Sequence, residues 1–295
     1  MISIVIPSYN NSCLELVTKL SEQSASIEGL QWEIVVADDA STNGNIVKEN
    51  DGINKIPNCR YIRRNKNVGR ARIRNFLARE AQGNWLLFID GDGKIITDNY
   101  LSQFVEASKR TKVCYGGYRM MPGPDSNLRW LYEKAAAPKH QVKVRKEYPF
   151  KSFNISNLLI KRELMLAHPL DERFVKYGYE DVMLGKELQE NNINVLHIDA
   201  PIGFFDYESN AHFVAKTEEG LQTLYQFQNE LKGFSTLLRV AANLNSTPKY
   251  LFLWLYRIMK TTWRNNLTGT SPSLLVFKLY KLGYFLNLSQ HAKEQ

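Results

Sequence analysis

The stretch Trp85-Leu86-Leu87-Phe88-Ile89-Asp90-Gly91-Asp92-Gly93 decides how the rest of the chain is read. Its apolar run predicts a strand, which stops at two carboxylates one residue apart, with glycine between and after them. Carboxylates at the carboxyl end of a strand project into the crevice where open α/β sheets bind ligands. Two acids so close repel each other unless something cationic sits beside them. A hard divalent ion carrying a diphosphate is one such partner, because Mg2+ takes one or two carboxylates together with phosphate oxygens. An acidic turn is the alternative, since Asp and Gly both form turns.

Working outward, further strands are predicted at Ile2–Ile6, Trp32–Ala37, Arg60–Ile62, Val113–Tyr118, Ile155–Ile160 and Asn194–Ile198. Helical patterns lie between several of them. Ser12-Cys13-Leu14-Glu15 reads as a capping box that opens a helix with Leu14, Val17 and Leu20 on one face. Two more helices are predicted over Gly69–Ala81 and Asn99–Arg110. This alternation argues for an α/β fold with a mostly parallel central sheet covered by helices on both faces. From Met120 to Phe150 the sequence reads as irregular, with Pro122, Pro124, Pro138 and Pro149; an insert of that kind is usually a binding loop or lid. Beyond Thr217 the pattern changes. Leu224, Phe227, Leu231, Phe234, Leu238 and Ala241 recur at helical spacing, followed by the aromatic run Tyr250 to Lys260. Arg257, Lys260 and Arg264 share a face, as do Lys278 and Lys281 beside Leu275, Leu279, Leu282 and Leu286. The domain division expected is therefore 1–215 for the sheet domain and 216–295 for a helical C-terminal appendage. Basic amphipathic helices rich in aromatics suit an anionic membrane surface, and equally suit packing on a sheet domain.

Composition narrows the classes. A hydrophobic share of 44% and an aromatic share of 12% fit a globular protein with a real core. Cys13, Cys59 and Cys114 have neither disulfide-framework nor metal-ligand spacing, which points to a reducing, cytoplasmic compartment. The chain enters a strand at once without a basic n-region, so no secretory leader is expected. No apolar run approaches the ~20 residues that span a bilayer. A formal charge of +8 calls for an anionic partner. Nucleic acid is set aside, because no RRM, KH or zinc-finger pattern is present.

Other polar groups fall at the same kind of position. The first strand ends Pro7-Ser8-Tyr9-Asn10, and the second ends Asp38-Asp39-Ala40-Ser41-Thr42. Asn67-Val68-Gly69 precedes Arg70, Arg72 and Arg74-Asn75, placing guanidinium groups at a helix start where phosphates bind. Glu180 and Asp181 open a helix whose apolar face is Leu184 and Leu188. They read either as complements to the helix dipole or as a general base with an acceptor-binding acid. His212 follows Asp206-Tyr207-Glu208; a surface residue or a third metal ligand would both fit.

Taken in order, Ile4-Val5-Ile6-Pro7-Ser8-Tyr9-Asn10, Glu33 to Thr42, Asn67-Val68-Gly69 through Arg74-Asn75, and Asp90-Gly91-Asp92 resemble the family 2 glycosyltransferases of the GT-A fold. The segment Asn157 to Leu188, with Leu170-Asp171-Glu172-Arg173-Phe174 and Gly178-Tyr179-Glu180-Asp181, looks like their galactosyltransferase-type C-terminal half. The chain departs from the pattern at Ala40, Asn43 and Gly93, none of which removes a group the chemistry needs. The resemblance implies a nucleotide-binding half over 1–118 and an acceptor-binding half over 119–215. It implies that Pro7 and Tyr9 frame the nucleobase, that Asp39 hydrogen-bonds it, and that Asn67, Gly69 and Arg74 approach the ribose and diphosphate. Asp90 would contact the ribose or the metal, Asp92 would bind Mn2+ or Mg2+ directly, and His212 would be the remaining metal ligand. Asp181 would be the base, with Glu180 orienting the acceptor. The activity so implied is metal-dependent, inverting transfer of a hexose or N-acetylhexosamine from a nucleotide sugar, a UDP-sugar above all. The acceptor would be a glycan or lipid-linked oligosaccharide of a surface polysaccharide. The helical tail would hold the cytoplasmic enzyme peripherally at the inner membrane face. Two rival classes share some of these features. A nucleotidyltransferase would carry a Gly-rich basic loop after the first strand, where Pro7-Ser8-Tyr9-Asn10 stands. A non-catalytic nucleic-acid or membrane-binding module is invited by the basic residues, but no recognition pattern such as RRM, KH or zinc finger is present.

Overall fold

The computed structural model describes residues 1–291. In chain order the elements are β1 (Ile2–Ser8), α1 (Leu14–Ser26), β2 (Trp32–Asp38), α2 (Gly44–Asn50), β3 (Cys59–Arg63), α3 (Arg70–Glu80), β4 (Trp85–Ile89), β5 (Lys94–Ile95), α4 (Tyr100–Ser108), β6 (Val113–Tyr115), β7 (Tyr118–Met120), α5 (Leu128–Ala136), α6 (Val142–Glu147), β8 (Asn157–Lys161), α7 (Arg162–Ala167), α8 (Glu180–Glu190), β9 (Leu196–His197), β10 (Ile202–Phe204), α9 (Asn210–Gln226), α10 (Thr236–Ala242), α11 (Ser246–Thr268) and α12 (Leu274–His291). Two compact units emerge. The first comprises 1–121, 138–175 and 180–205; the second comprises 122–137, 176–179 and 206–295.

The first unit is built on a seven-stranded sheet in the order β3-β2-β1-β4-β8-β6-β9. β3, β2, β1 and β4 run parallel, and β8 is antiparallel to both its neighbours. Consecutive residues of β1 and β4 serve opposite faces. Ile4, Ile6, Leu87 and Ile89 pack with Leu16, Val17 and Leu20 of α1 and Phe104 of α4. Val5, Leu86 and Phe88 pack with Ile73 and Leu77 of α3 and Leu184 and Leu188 of α8. Strands covered on both sides need apolar residues throughout, which is why they read as continuous runs. A small sheet, β5-β10-β7, flanks the large one.

Three expectations need correction. The strand expected over Val113–Tyr118 splits in two, because Gly116 and Gly117 turn the chain out of the large sheet into the small one. Gly117 has φ +89, a backbone state that favours glycine, and a Cβ there would lie 2.8 Å from Arg145 Nη2. The capping box does not form. Ser12 Oγ donates to Glu49 Oε1 at 2.6 Å, the Cys13 N–H donates to Asn50 Oδ1 at 2.8 Å, and Glu15 pairs instead with Lys19 at 3.2 Å. The insert is more regular than its prolines suggest. Asn127 caps α5 by accepting the Trp130 N–H at 2.9 Å, and α6 follows.

Arg145 of α6 is buried, and among the described residues its hydrogen-bond partners include no carboxylate. Its Nε donates to the His140 carbonyl, Nη1 to the Tyr115 carbonyl and His197 Nδ1, and Nη2 to the Gly116 and Ile198 carbonyls. All five N–H groups of the planar fork are thereby used. His197 Nε2 then meets the Pro149 carbonyl at 3.0 Å, and burial pushes this imidazole down to about 4.

The second unit is helical. Leu128, Val214, Tyr256, Trp263, Leu267, Phe277 and Tyr280 form its core. The helical spacing from Leu224 to Ala241 belongs to two helices, not one: α9 stops at Gln226 and Ser235 caps α10, its side chain accepting the Leu238 N–H at 3.3 Å. α9 also begins upstream of Thr217, where Ser209 accepts the His212 N–H at 3.2 Å. Lys281 does not stand in water. It lies over Tyr132 and Phe277 at 4.7 and 4.5 Å, and burial, aided by Lys278, pushes its amine down to about 8. Among the described residues no helix is long and apolar enough to cross a membrane.

Candidate active site

From β1 the chain proceeds to β2 and β3 on one side and returns to β4 on the other. The carboxyl ends of β1 and β4 therefore flank the switch point, where ligands of open α/β sheets bind. Pro7 and the exposed Tyr9 stand at the end of β1. Asn10, at φ +54, ties the loops after β1 and β2 together: its Oδ1 accepts the N–H groups of Thr42 and Asn43 at 2.9 and 3.0 Å.

The adjacent acids after β2 have separate tasks. Asp38 is fully buried; it accepts the Ser41 N–H at 2.7 Å and the Tyr61 hydroxyl. Asp39 accepts the Val68 and Gly69 N–H groups, one on each oxygen, both at 2.9 Å. Burial lifts the Asp39 carboxyl above its ordinary value even though those two bonds oppose the shift. The clamp fixes the entry to α3, where exposed Asn67 leads into Val68 and Gly69. Gly69 adopts φ +85 and ψ 172, open in practice to glycine alone.

α3 then delivers its arginines. Arg74, buried, pairs with Asp90 at the end of β4. Arg70, one turn earlier, lies 3.7 Å from the other oxygen of Asp90 and donates through Nε to Glu180 at 2.7 Å. The result is one ladder of alternating charge, Arg74, Asp90, Arg70, Glu180, linking the strand-end acids to the start of α8. Asn75 braces it: its side chain exchanges hydrogen bonds with backbone Leu170 at 2.8 and 2.9 Å. Burial alone would lift the Glu180 carboxyl, but Arg70 and Arg74 outweigh it and hold it below the ordinary range. Its neighbour Asp181 goes the other way. Burial, reinforced by the negative Glu180, lifts it to about 7. Two adjacent carboxyl groups with opposite shifts are the arrangement in which one stays ionised and the other exchanges a proton near neutrality.

Asp92 is exposed on the turn after β4, which is closed by the Gly93 N–H to the Asp90 carbonyl at 3.0 Å. Gly91 and Gly93 let that turn sit tight: a Cβ on Gly91 would fall 2.8 Å from Cys13 Sγ, and one on Gly93 2.7 Å from Ile202 Cγ1. The donor chemistry fits a hard divalent ion, which needs few protein carboxylates when diphosphate and water supply the rest. Asp90 is engaged by two guanidinium groups, while Asp92 is the more exposed of the pair. His212 lies in the second unit, on the first turn of α9. Its Nδ1 is 2.6 Å from Glu208, which also meets Arg129 at 3.0 Å. Carboxylate contact to one ring nitrogen orients many metal-binding histidines, as it does surface ones. Among the described residues no group of three or more His, Cys, Asp and Glu side chains is disposed to hold a metal.

The ladder brings together Arg74, Asp90, Glu180 and Asp181, and Asp39 joins it by positioning the start of α3. Arg70, which the sequence offers only as one of several guanidinium groups at the helix start, takes a specific place between Asp90 and Glu180. Its signal in the sequence is its place four residues before Arg74, one helical turn away on the same face.

Comparison with known proteins agrees with this architecture. A model of the family described as glycosyl transferase family 2 matches residues 3–166, more than half of the chain. The match ends before Glu180 and Asp181. An uncharacterized glycosyltransferase of Haemophilus influenzae is 34% identical over 94 residues, 31% of this chain and 29% of that protein. A Bacillus subtilis protein assigned provisionally to teichuronic acid biosynthesis, the glycosyltransferase TuaG, is 29% identical over 126 residues, 41% of this chain and 48% of that one. The chain thus spans less than half the length of these curated relatives. Among solved structures, residues 1–349 of S. aureus TarS superpose with a TM-score of 0.55 at 15% identity, covering 99% of this chain and 91% of that one. The mannosyltransferase PcManGT of Pyrobaculum calidifontis, solved with GDP-Man and Mn2+, superposes at 0.58 with 14% identity, covering 98% and 86%. At such identities the likeness is one of fold.

Proposed function

The chain belongs to glycosyl transferase family 2, and from that premise we propose that it transfers a hexose or N-acetylhexosamine, with inversion, from a UDP-sugar to a glycan or lipid-linked acceptor in surface polysaccharide synthesis. The observation that carries the reading is the charge ladder that starts at the strand-end acids and finishes beside Asp181. TarS has been solved with UDP and with UDP-GlcNAc, which supports a nucleoside diphosphate sugar as donor.

In this reading Pro7 and Tyr9 frame the nucleobase, Asp39 accepts from it, and Asn67, Gly69 and Arg74 line the ribose–diphosphate region. Asp181 takes the proton of the acceptor hydroxyl while that oxygen attacks the anomeric carbon from the face opposite the nucleotide. The bond from that carbon to the diphosphate oxygen breaks, and its electron pair leaves with the nucleoside diphosphate. Glu180, kept ionised by Arg70, orients the acceptor. Asp92, with Asp90 beside it, would hold Mn2+ or Mg2+, which when bound would supply charge neutralisation for the departing diphosphate.

The test is release of nucleoside diphosphate from a panel of UDP-, GDP- and dTDP-sugars with Mn2+, using the full chain. One nucleotide class should be hydrolysed above background, and Asp92→Ala should abolish the release while the protein stays folded. Absence of binding to every nucleotide sugar, or undiminished metal-dependent turnover by Asp92→Ala, overturns the proposal.

A further inference from the structure

α11 is apolar on two opposite faces. Leu253, Tyr256, Trp263 and Leu267 point inward and are buried in the core of the second unit. On the other side Tyr250, Leu251, Trp254, Leu255 and Ile258 form a stripe at one- and four-residue steps, and each is between 41 and 65% exposed. A helix of a globular protein normally turns charged residues to water on the side away from its core. Here the outward side carries two aromatic and three aliphatic side chains, a contiguous patch of the kind that marks an interaction site.

The charge around it identifies the occupant. From residue 231 to 291 the sequence holds eight Lys and Arg and no Asp or Glu. Arg257 borders the stripe, three residues beyond Trp254, and is exposed; Lys260 is exposed one step further round the helix. Among the described residues Arg257 donates to a neutral partner, Gln290 Oε1, at 2.8 Å. Arg264 is set apart by its ion pair with Glu218 at 3.2 Å. A second copy of the chain laid on this face would bring the same cations against one another. An anionic lipid surface matches them, and it also suits Trp and Tyr, whose rings settle at the level of the headgroups.

We propose that the outer face of α11, Tyr250, Leu251, Trp254, Leu255 and Ile258 with Arg257 at its margin and Lys260 further round the helix, lies in the plane of an anionic phospholipid bilayer and holds the protein there without spanning it. The helix would rest with its apolar stripe at the headgroup–acyl boundary, as interfacial helices do. This inference is independent of the proposed chemistry.

Co-sedimentation of the full chain with vesicles tests it. Phosphatidylcholine vesicles containing one quarter phosphatidylglycerol should bind the protein, and pure phosphatidylcholine vesicles should bind it far more weakly. Leu251→Gln/Trp254→Gln/Ile258→Gln should reduce the partition coefficient by at least about tenfold, since each side chain contributes apolar burial. Its circular dichroism and melting temperature should match the parent, because all three positions are exposed. Arg257→Glu/Lys260→Glu should reduce binding severalfold and flatten its dependence on salt. Trp254 fluorescence should shift to shorter wavelength on vesicles, and Trp254→Phe should lose the shift yet still bind. Equal binding to neutral and anionic vesicles, unchanged binding by the folded triple variant, or a dimer in solution that the triple variant dissolves would each overturn the proposal; the last would make a second copy the occupant.

Discussion

Asp38 and Asp39 show how far apart two neighbouring residues can stand in their work. In the sequence they are indistinguishable acids at a strand end. In the fold one turns inward to Tyr61 and the Ser41 N–H, and the other clamps the backbone that introduces the arginines of α3. Glu180 and Asp181 diverge in the same manner, and this has kinetic consequences. Asp181→Asn should lower kcat by roughly 10²- to 10⁴-fold, the usual contribution of a positioned base, while donor KM stays close to the parent's. Parent kcat should rise with pH through about 7, as the carboxyl lifted by burial and by Glu180 loses its proton. Stability should move the opposite way. A carboxyl whose folded value is raised contributes fully below its ordinary 3.8, and that contribution fades as pH climbs through about 7. Thermal melts of the Asn variant should therefore decline less than the parent's between pH 4 and 8. A pH-independent kcat, or an Asn variant with parental turnover, would remove Asp181 from its role.

The elements fall into two groups by how much of them was legible. β1, β2 and β4 are continuous apolar runs ending in polar residues, so both their existence and their carboxyl ends could be read directly. From there Asp39, Arg74, Asp90 and Asp181 were within reach as candidates. The ion pairs that tie this set to Arg70 and Glu180 were not, because Arg70 and Glu180 stand 110 positions apart. Short elements were harder. α6 is held by one buried arginine whose partners are mostly carbonyls of distant segments, and no local pattern announces that. α1 lost its expected capping box because Ser12 and the Cys13 N–H found better partners in α2. At this scale the entry to α3 is the sensitive point. Gly69→Ala should destabilise the protein by about 1–3 kcal/mol, the cost of a side chain in that backbone state. The added Cβ would also stand 3.3 Å from the Val175 carbonyl. The measurement is a lowered denaturant midpoint with unchanged slope; a midpoint within error of the parent's would show that the backbone there can relax.

For the whole molecule, a ligand that binds only the folded state must raise its melting temperature. UDP with Mn2+ at 100 times its Kd should add about 2.7 kcal/mol by mass action, and scanning calorimetry would show it; absence of any shift with UDP, GDP or dTDP would remove the donor assignment. The division into two units was only partly visible in the sequence. The helical spacing late in the chain belongs to the second unit, which also takes up 122–137, inside the proline-marked insert, and 176–179, which no pattern in the sequence assigns to it.

Arg145 has a consequence for anyone who would rebuild this protein. With every N–H of its side chain committed, it behaves as a rivet through four pieces of chain, and lysine, with three donors on a flexible stem, could not replace it. A designer who exchanges residues 118–150 for those of a relative, hoping to change which sugar is accepted, is therefore not free to treat the segment as upholstery. The graft must arrive with its own arginine at position 145 and join a retained glycine at 117, or the edge of the sheet will come loose with it.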